Sequence, residues 1–291
     1  MTHAGALVAL HAATALFGFA GLFGKWLVLS PVAIVLGRTA IAALALGVLR
    51  LRTRGHRRFD VRLIGNGVVL ALHWLSFFAA IQASTVAVGL LGYASFPLFT
   101  LIAERVFFGR RLRRRDGATA LLVTTGLVLL VPELSLANPV ARGLAWGVVS
   151  GFTFALLVVM NRRWSGTRAA TDIAFWQNGL AALALLPFAL SGGESLSALS
   201  ARDIMLLLAL GLACTALAHT LFISGLAVVS AHTASVIAAL EPVYGILLAL
   251  AFLNEVPGAR TIAGGVLIVA AAVIATRRSH LGAVGSVRSI G

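Results

Sequence analysis

Glu241 is the acidic residue set deepest in an apolar run of this 291-residue chain, and His11, His73, His219 and His232 are titratable groups in similar surroundings. Ionisable groups in such runs are costly to place and usually face the interior of a helix bundle. A carboxyl there can carry a proton or meet a substrate amine. An imidazole can carry protons near neutral pH or hydrogen-bond a substrate. The bland alternative for Glu241 is a protonated, hydrogen-bonded carboxyl that helps shape a bend at Pro242, where a backbone donor is missing. For the histidines it is a paired core residue.

Lys25 and Arg38 stand near the facing ends of the first two apolar runs. The simpler reading has both snorkelling to the interface on their long stems. The sharper one makes them a polar collar at an outer mouth that meets a substrate carboxylate, with Gln177 as the neutral counterpart of Arg38. Phe17, Trp74, Phe77, Tyr93, Phe96, Trp176 and Tyr244 are aromatic candidates for a pocket that takes apolar side chains. Lipid contact explains aromatics at such positions equally well. Pro97 and Pro242 break the donor ladder mid-run and are natural bending points. Gly18, Gly21 and Gly24, with Gly264 and Gly265, permit close helix packing.

Other chemistry is missing. There is no phosphate loop, metal-ligand cluster or redox cysteine pair, so no cofactor or metal is expected. The single cysteine, Cys214, excludes an intramolecular disulfide. An intramembrane enzyme needs convergent catalytic groups, and Glu241 has no second carboxylate near it in sequence. The expectation is a protein that is not an enzyme.

The elements that must position these residues follow from composition. The chain is 60% hydrophobic and 11% charged, with mean hydropathy +1.00. Ordinary soluble domains carry roughly a quarter charged residues, so lipid must solvate most of this surface. Apolar stretches of spanning length fall near 5–28, 31–49, 63–82, 85–108, 117–132, 141–161, 172–190, 203–224, 229–253 and 259–276. In lipid the backbone must satisfy itself, so each reads as a helix. The first run has no convincing cleavage site and is taken as a helix, not a removed signal.

A net charge of +14 raises nucleic-acid binding, but the placement of the charge excludes it. Arginines crowd into alternate connections: Arg50 to Arg62, Arg105 to Arg115, Arg162 to Arg168, and Arg277 to Arg288 in the tail. The other side keeps only Lys25, Arg38, Arg142, Arg202 and Arg260. The positive-inside rule then puts both termini in the cytoplasm. The partners are the bilayer and a small-molecule substrate, and the expected unit is a monomer.

The two halves resemble each other. At an offset of 145, Phe96-Pro97 matches Glu241-Pro242, Thr85 matches Ser230, Trp74 matches His219 and Phe99 matches Tyr244. That correspondence adds weight to His73 and His219 as lining residues of helices three and eight. Five helices per half is an odd number, so the second half runs inverted, as in many secondary transporters. The fold class expected is all-α integral membrane, ten transmembrane helices as two inverted five-helix repeats. Residues 1–132 form the first repeat, 133–142 the outer inter-repeat loop, 143–276 the second repeat and 277–291 a cytoplasmic tail.

Phe17-Gly18 followed by Lys25 and Arg38 resembles the opening of the EamA domain of the drug/metabolite transporter superfamily. Leu240-Glu241-Pro242-Val243, followed by Leu253-Asn254-Glu255, is similar to its second-repeat signature. The likeness covers about residues 5–276, although Phe96 and Arg110 stand where acidic residues are common in the first repeat. Within the superfamily the chain most resembles bacterial aromatic amino acid exporters. The resemblance implies export of amino acids or related metabolites across the inner membrane by alternating access, with helices one, three, four, six, eight and nine around the cavity. A passive facilitator or channel is the alternative, since no coupling-ion site is evident. If protons are coupled, Glu241 is the expected carrier, with His219 nearby.

Overall fold

A computed structural model describes residues 1–52, 59–108, 114–130, 135, 137–164, 168–191, 199–229, 234 and 237–277. His232, Ser230, the connection arginines Arg54, Arg57, Arg58, Arg110, Arg111 and Arg113, residues 133, 134 and 136 of the inter-repeat loop, and the tail after 277 lie outside the described residues. The first half supplies α1 (His3–Trp26), α2 (Pro31–Arg52), α3 (Leu63–Ala83), α4 (Val86–Tyr93), α5 (Phe96–Phe108) and α6 (Arg114–Leu130). The second supplies α7 (Pro139–Trp164), α8 (Ala170–Ser191), α9 (Ala201–Gly211), a π-helical segment (Leu212–Leu217), α10 (Ala218–Leu226), α11 (Glu241–Leu253) and α12 (Ala259–Arg277).

Among the described residues, seven helical stretches are long and apolar enough to cross a membrane. Asp116–Leu130, Glu241–Leu253 and Ala259–Ala271 are shorter apolar helices. Large side chains such as Leu44, Leu51, Leu190 and Phe188 stand exposed on the outside. A surface this apolar is a lipid-facing surface, since soluble proteins avoid such patches.

Local sequence sets the helix ends. Ser30 accepts from the Ala33 N–H just before Pro31 starts α2. Asn138 accepts from Val140 N–H and Pro139 opens α7. Each proline sits where a helix has no use for the missing donor. Thr85 caps α4 through Val88 N–H, and Ser200 with Asp203 forms a reciprocal box at α9. Asn254, at φ 54°, ends α11 in the left-handed region, a conformation asparagine tolerates better than most residues.

Two spans expected to be continuous are broken. The fourth is interrupted at Ala94 and Ser95, between α4 and α5. The ninth, in which Ala234, Ile237 and Ala238 are already helical, is interrupted at Ala239 and Leu240, just before α11 starts at Glu241. Pro97 and Pro242 are therefore not mid-helix kinks. They occupy first-turn positions of new helices, where proline costs nothing, and the direction change belongs to the turns before them.

The halves interlock pairwise, and the contacts have a pattern. α1 packs on α10 while α3 packs on α7; α1 packs on α11 while α7 packs on α4; α2 meets α9 and the π segment while α8 meets α3. α2 packs on α8, and α6 on α12. With α4 and α5 taken as one span, exchanging the two halves maps the members of the first three couples onto each other and leaves α2–α8 and α6–α12 as themselves.

Several crossings bring backbone onto backbone. Gly143, Gly147 and Gly151, spaced by four on α7, lie in turn against the end of α3 at Ala80 and Ser84, against α4, and against the break after α4. A Cβ on Gly147 would stand 2.8 Å from the Gly89 carbonyl oxygen and 2.9 Å from Gly92 Cα. On the mirrored contact, a Cβ on Gly18 would meet Gly245 N at 2.9 Å. In lipid, close approach of this kind replaces the hydrophobic effect as the packing force.

Candidate functional site

The breaks, the histidines and the aromatic residues converge on one central cavity between the halves. His73 and Trp74 enter from α3, Phe17 from α1, Tyr93 from the end of α4, His219 and Phe222 from α10, and Glu241 from the start of α11. Its volume is about 30 Å³, enough for roughly two waters. A metabolite does not fit in that space.

The walls are aromatic. Phe17 meets His219 edge-on at 5.5 Å between ring centroids and Phe222 at 5.9 Å. Trp74 lies stacked 5.9 Å from His219 and edge-on to Phe77 at 5.3 Å. Tyr93 packs edge-on against Phe154 of α7 at 5.2 Å.

Polar groups in the walls, the Trp74 indole N–H apart, are individually held. His73 Nδ1 lies 3.1 Å from both the carbonyl and the hydroxyl oxygen of Ser150. A carbonyl only accepts, so that contact calls for the proton on Nδ1. Asn178 reaches His219 Nδ1 at 3.5 Å. The Tyr93 hydroxyl is hydrogen-bonded to the Glu241 carboxyl, and Glu241 sits in the first turn of α11, where the helix end favours negative charge. Towards the arginine-bearing connections the cavity ends in an amide knot. Asn66 donates to Asn161 Oδ1 at 3.1 Å, and Gln177 donates to the same oxygen, joining α3, α7 and α8.

The candidates distribute as follows. Phe17, His73, Trp74, Tyr93, Gln177, His219 and Glu241 surround the cavity. Phe77 and Phe96 are fully buried but lie behind the wall, Phe77 on Trp74 and Phe96 on Tyr93. Tyr244 sits one turn beyond Glu241 and points away, its hydroxyl 3.3 Å from exposed His11. Trp176 packs between Phe59 and Phe175 near the end of α2, where Arg50 lies over its ring at 5.2 Å. For these four a cavity-lining role is corrected: helical periodicity tells which face a residue takes, not how far along the bundle axis it sits. Glu241 also moves, from the middle of a helix to the start of one.

Arg38 is the larger correction. It does not snorkel. Its side chain is fully buried, with the guanidinium carbon 3.6 Å above the Trp74 ring. Nε donates to Thr215 Oγ1 at 2.9 Å and Nη2 donates to the Cys214 carbonyl at 3.1 Å. Those acceptors come from the π segment, whose wider turn frees carbonyls from the ordinary ladder. Lys25 is only partly buried and donates to the Ser84 carbonyl, one residue before Thr85 and close to Val86, whose N–H is capped at 2.9 Å by Glu255 from beyond α11. The two residues thus part company, Lys25 at a helix end and Arg38 in the core.

Asn161, Phe154 and the glycines of α7 were not singled out from sequence. Asn161 falls at a span boundary, where polar residues are unremarkable. The glycine spacing of four was a readable packing signal.

At the arginine-bearing end, Asp172 of α8 takes Arg50 of α2 at 2.8 Å and Arg168 at 2.8 Å. Asp172→Asn keeps the shape and removes the charge that holds α2 to α8. Breaking a fully buried pair costs about 3–5 kcal/mol. The Arg50 side chain is 18% exposed, so solvent screening lowers the expected loss to about 1–3 kcal/mol. Thermal unfolding of purified Asp172→Asn protein should show that loss as a lower midpoint.

A bundle with apolar outer faces and a small, mostly aromatic cavity lined from both halves is the architecture of a membrane transport protein. The chain belongs to the EamA-like transporter family, whose model matches it twice, over residues 3–131 and 141–277. Among similar curated proteins, a transporter of Archaeoglobus fulgidus is 30% identical over 232 residues, covering 80% of this chain and 82% of that one. The pseudopaline exporter of Pseudomonas aeruginosa is 29% identical over 252 residues, covering 84% and 85%. A solved crystal structure superposes with a TM-score of 0.68 at 20% identity, covering 95% of this chain and 100% of the other. At that identity the likeness speaks for the fold.

Proposed function

We propose that the protein is a secondary transporter that exports amino acids, aromatic or otherwise apolar, or related small metabolites by alternating access. The observation that carries this reading is the aromatic-walled cavity with few, individually held polar groups, placed where broken spans from both halves meet. Half-helices meeting at a central site are how many transporters build substrate and ion sites. The exporter among the relatives supports the direction of transport. The reading includes ten spans in two inverted five-helix repeats, residues 1–132 and 143–276. Support comes from the double family match and from helix contacts that exchange when the halves are exchanged. The arginine distribution supports both termini in the cytoplasm of a bacterium, with the protein in its inner membrane. Lining residues are Phe17, His73, Trp74, Tyr93, Gln177 and His219, with Glu241 as the proton carrier where transport is coupled.

Flux into liposomes tests this. Vesicles preloaded with phenylalanine should take up labelled phenylalanine by counterflow, and leucine outside should compete better than lysine or glutamate. An outward-directed proton gradient, with the lumen acidic, should add net accumulation, because protons leave in exchange for entering substrate. Equal flux of every solute, blind to the gradient, would make a passive pore the better description. No flux of any amino acid would reject the substrate class.

A further inference from the structure

Arg38 is the fully buried Lys or Arg side chain among the described residues, and its charge is not matched by an ion pair there. Its third nitrogen, Nη1, has no hydrogen-bond partner. The residue it stacks on has the same deficit: Trp74 Nε1 is buried and has no partner either. Two orphaned donors on touching side chains, one of them charged, are expensive in a low-dielectric interior. Glu241 stands within electrostatic range of Arg38 but makes no contact that neutralises it.

Trp74 lines the cavity and Arg38 does not. With the guanidinium 3.6 Å over the indole face, the indole is what separates the charge from the cavity. Phe17, Phe77 and His219 touch that indole through ring contacts, and rings slide past one another without leaving a polar group unpaired. The guanidinium itself is fixed, because Thr215 and the Cys214 carbonyl hold Nε and Nη2. Thr215 in turn donates to the Leu210 carbonyl at 2.7 Å, so the acceptor side of the cradle is oriented too.

We propose that Arg38 is the anchor for a substrate carboxylate, uncovered when Trp74 swings aside, with the indole N–H as a second donor. The site offers one positive charge and donors in a planar fork, which suits a monoanionic carboxylate. A doubly charged phosphate would bring more negative charge than the site contains, next to Glu241. This deepens the transport reading above and rests on it only for the use of the central cavity as the substrate site.

The test uses the purified full-length protein in nanodiscs and three probes: phenylalanine, phenylalaninamide and phenylacetate. Phenylalanine and phenylacetate should raise the thermal unfolding midpoint, while phenylalaninamide, which lacks the anion, should not. Arg38→Gln should lose both shifts. Its ligand-free midpoint should match or exceed that of the native protein, because an unmatched buried charge has gone; a purely structural arginine would instead lower it. Arg38→Lys should keep a reduced shift, since it restores charge without the fork. A midpoint that rises equally with phenylalaninamide overturns the proposal, as does an Arg38→Gln protein that responds like the native one. The acid–amide comparison on native protein stands even if the variant fails to fold. A shift with phenylacetate alone would support the anchor while removing amino acids as the cargo. No shift with either acid overturns the anchor.

Discussion

Gly147→Val is expected to leave almost no folded protein in the membrane. Gly147 is the middle of the Gly143, Gly147, Gly151 stripe, and spacing by four puts all three on one face of α7, where Gly147 is the one that meets α4. The neighbours of a Cβ at 147 are the Gly89 oxygen, Gly92 Cα and Tyr93 N, all between 2.8 and 3.1 Å away. Each is backbone, so no side chain can rotate to make room and the helices must separate. Ordinary overpacking costs roughly 1–3 kcal/mol because side chains yield; here the loss should reach about 3 kcal/mol or more. Separation would also displace Tyr93, and with it the partner of Glu241. Gly117→Ala on α6 is the control. Nothing lies within 4 Å of its Cβ, so it should be neutral or stabilise by up to about 1 kcal/mol through helix propensity. Yield after membrane extraction and the unfolding midpoint, compared across the two variants, measure the difference.

The same comparison shows what one sequence can and cannot disclose. Lipid solvation was legible because it leaves runs of about 20 apolar residues, and the apolar helices α1 to α12 follow those runs closely. The break before Phe96 was not legible. A proline at the first turn of a new helix and a proline in the middle of an old one are the same two letters, and only the turn at Ala94 and Ser95 tells them apart. Trp74 and His219 could be named as lining one central space because the repeat offset relates helices three and eight. Trp176 and Tyr244 have equally good aromatic credentials, but depth along the bundle axis does not register in a 3.6-residue period. Arg38 is the clearest case. A long stem near a helix end snorkels by default, and what cancels the default is tertiary: a π segment 170 or more positions away that turns the Cys214 carbonyl and the Thr215 hydroxyl toward it.

Glu241→Gln should uncouple transport from the proton gradient without stopping exchange. Glu241 is 2% exposed, lines the cavity and receives the Tyr93 hydroxyl. Among the described residues lining that cavity it is the one acid, so a proton exchanged for substrate has this carboxyl as its carboxylate stop. Glutamine keeps the length, the volume and an acceptor for Tyr93, but it cannot take up or release a proton at any accessible pH. For one proton exchanged per substrate, each pH unit across the membrane is worth about 1.4 kcal/mol, or roughly tenfold in accumulation. Native protein in liposomes should approach that ratio, and Glu241→Gln should stay near unity while its counterflow of labelled phenylalanine continues. Tyr93→Phe separates the hydrogen bond from the charge: it should slow exchange yet leave the gradient response in place. Gradient-driven accumulation by Glu241→Gln at the native level would remove Glu241 as the carrier. A variant that loses exchange and thermal stability together would instead assign the carboxyl to the packing of α11 against α4, where Gly245 leaves no room beside Leu90.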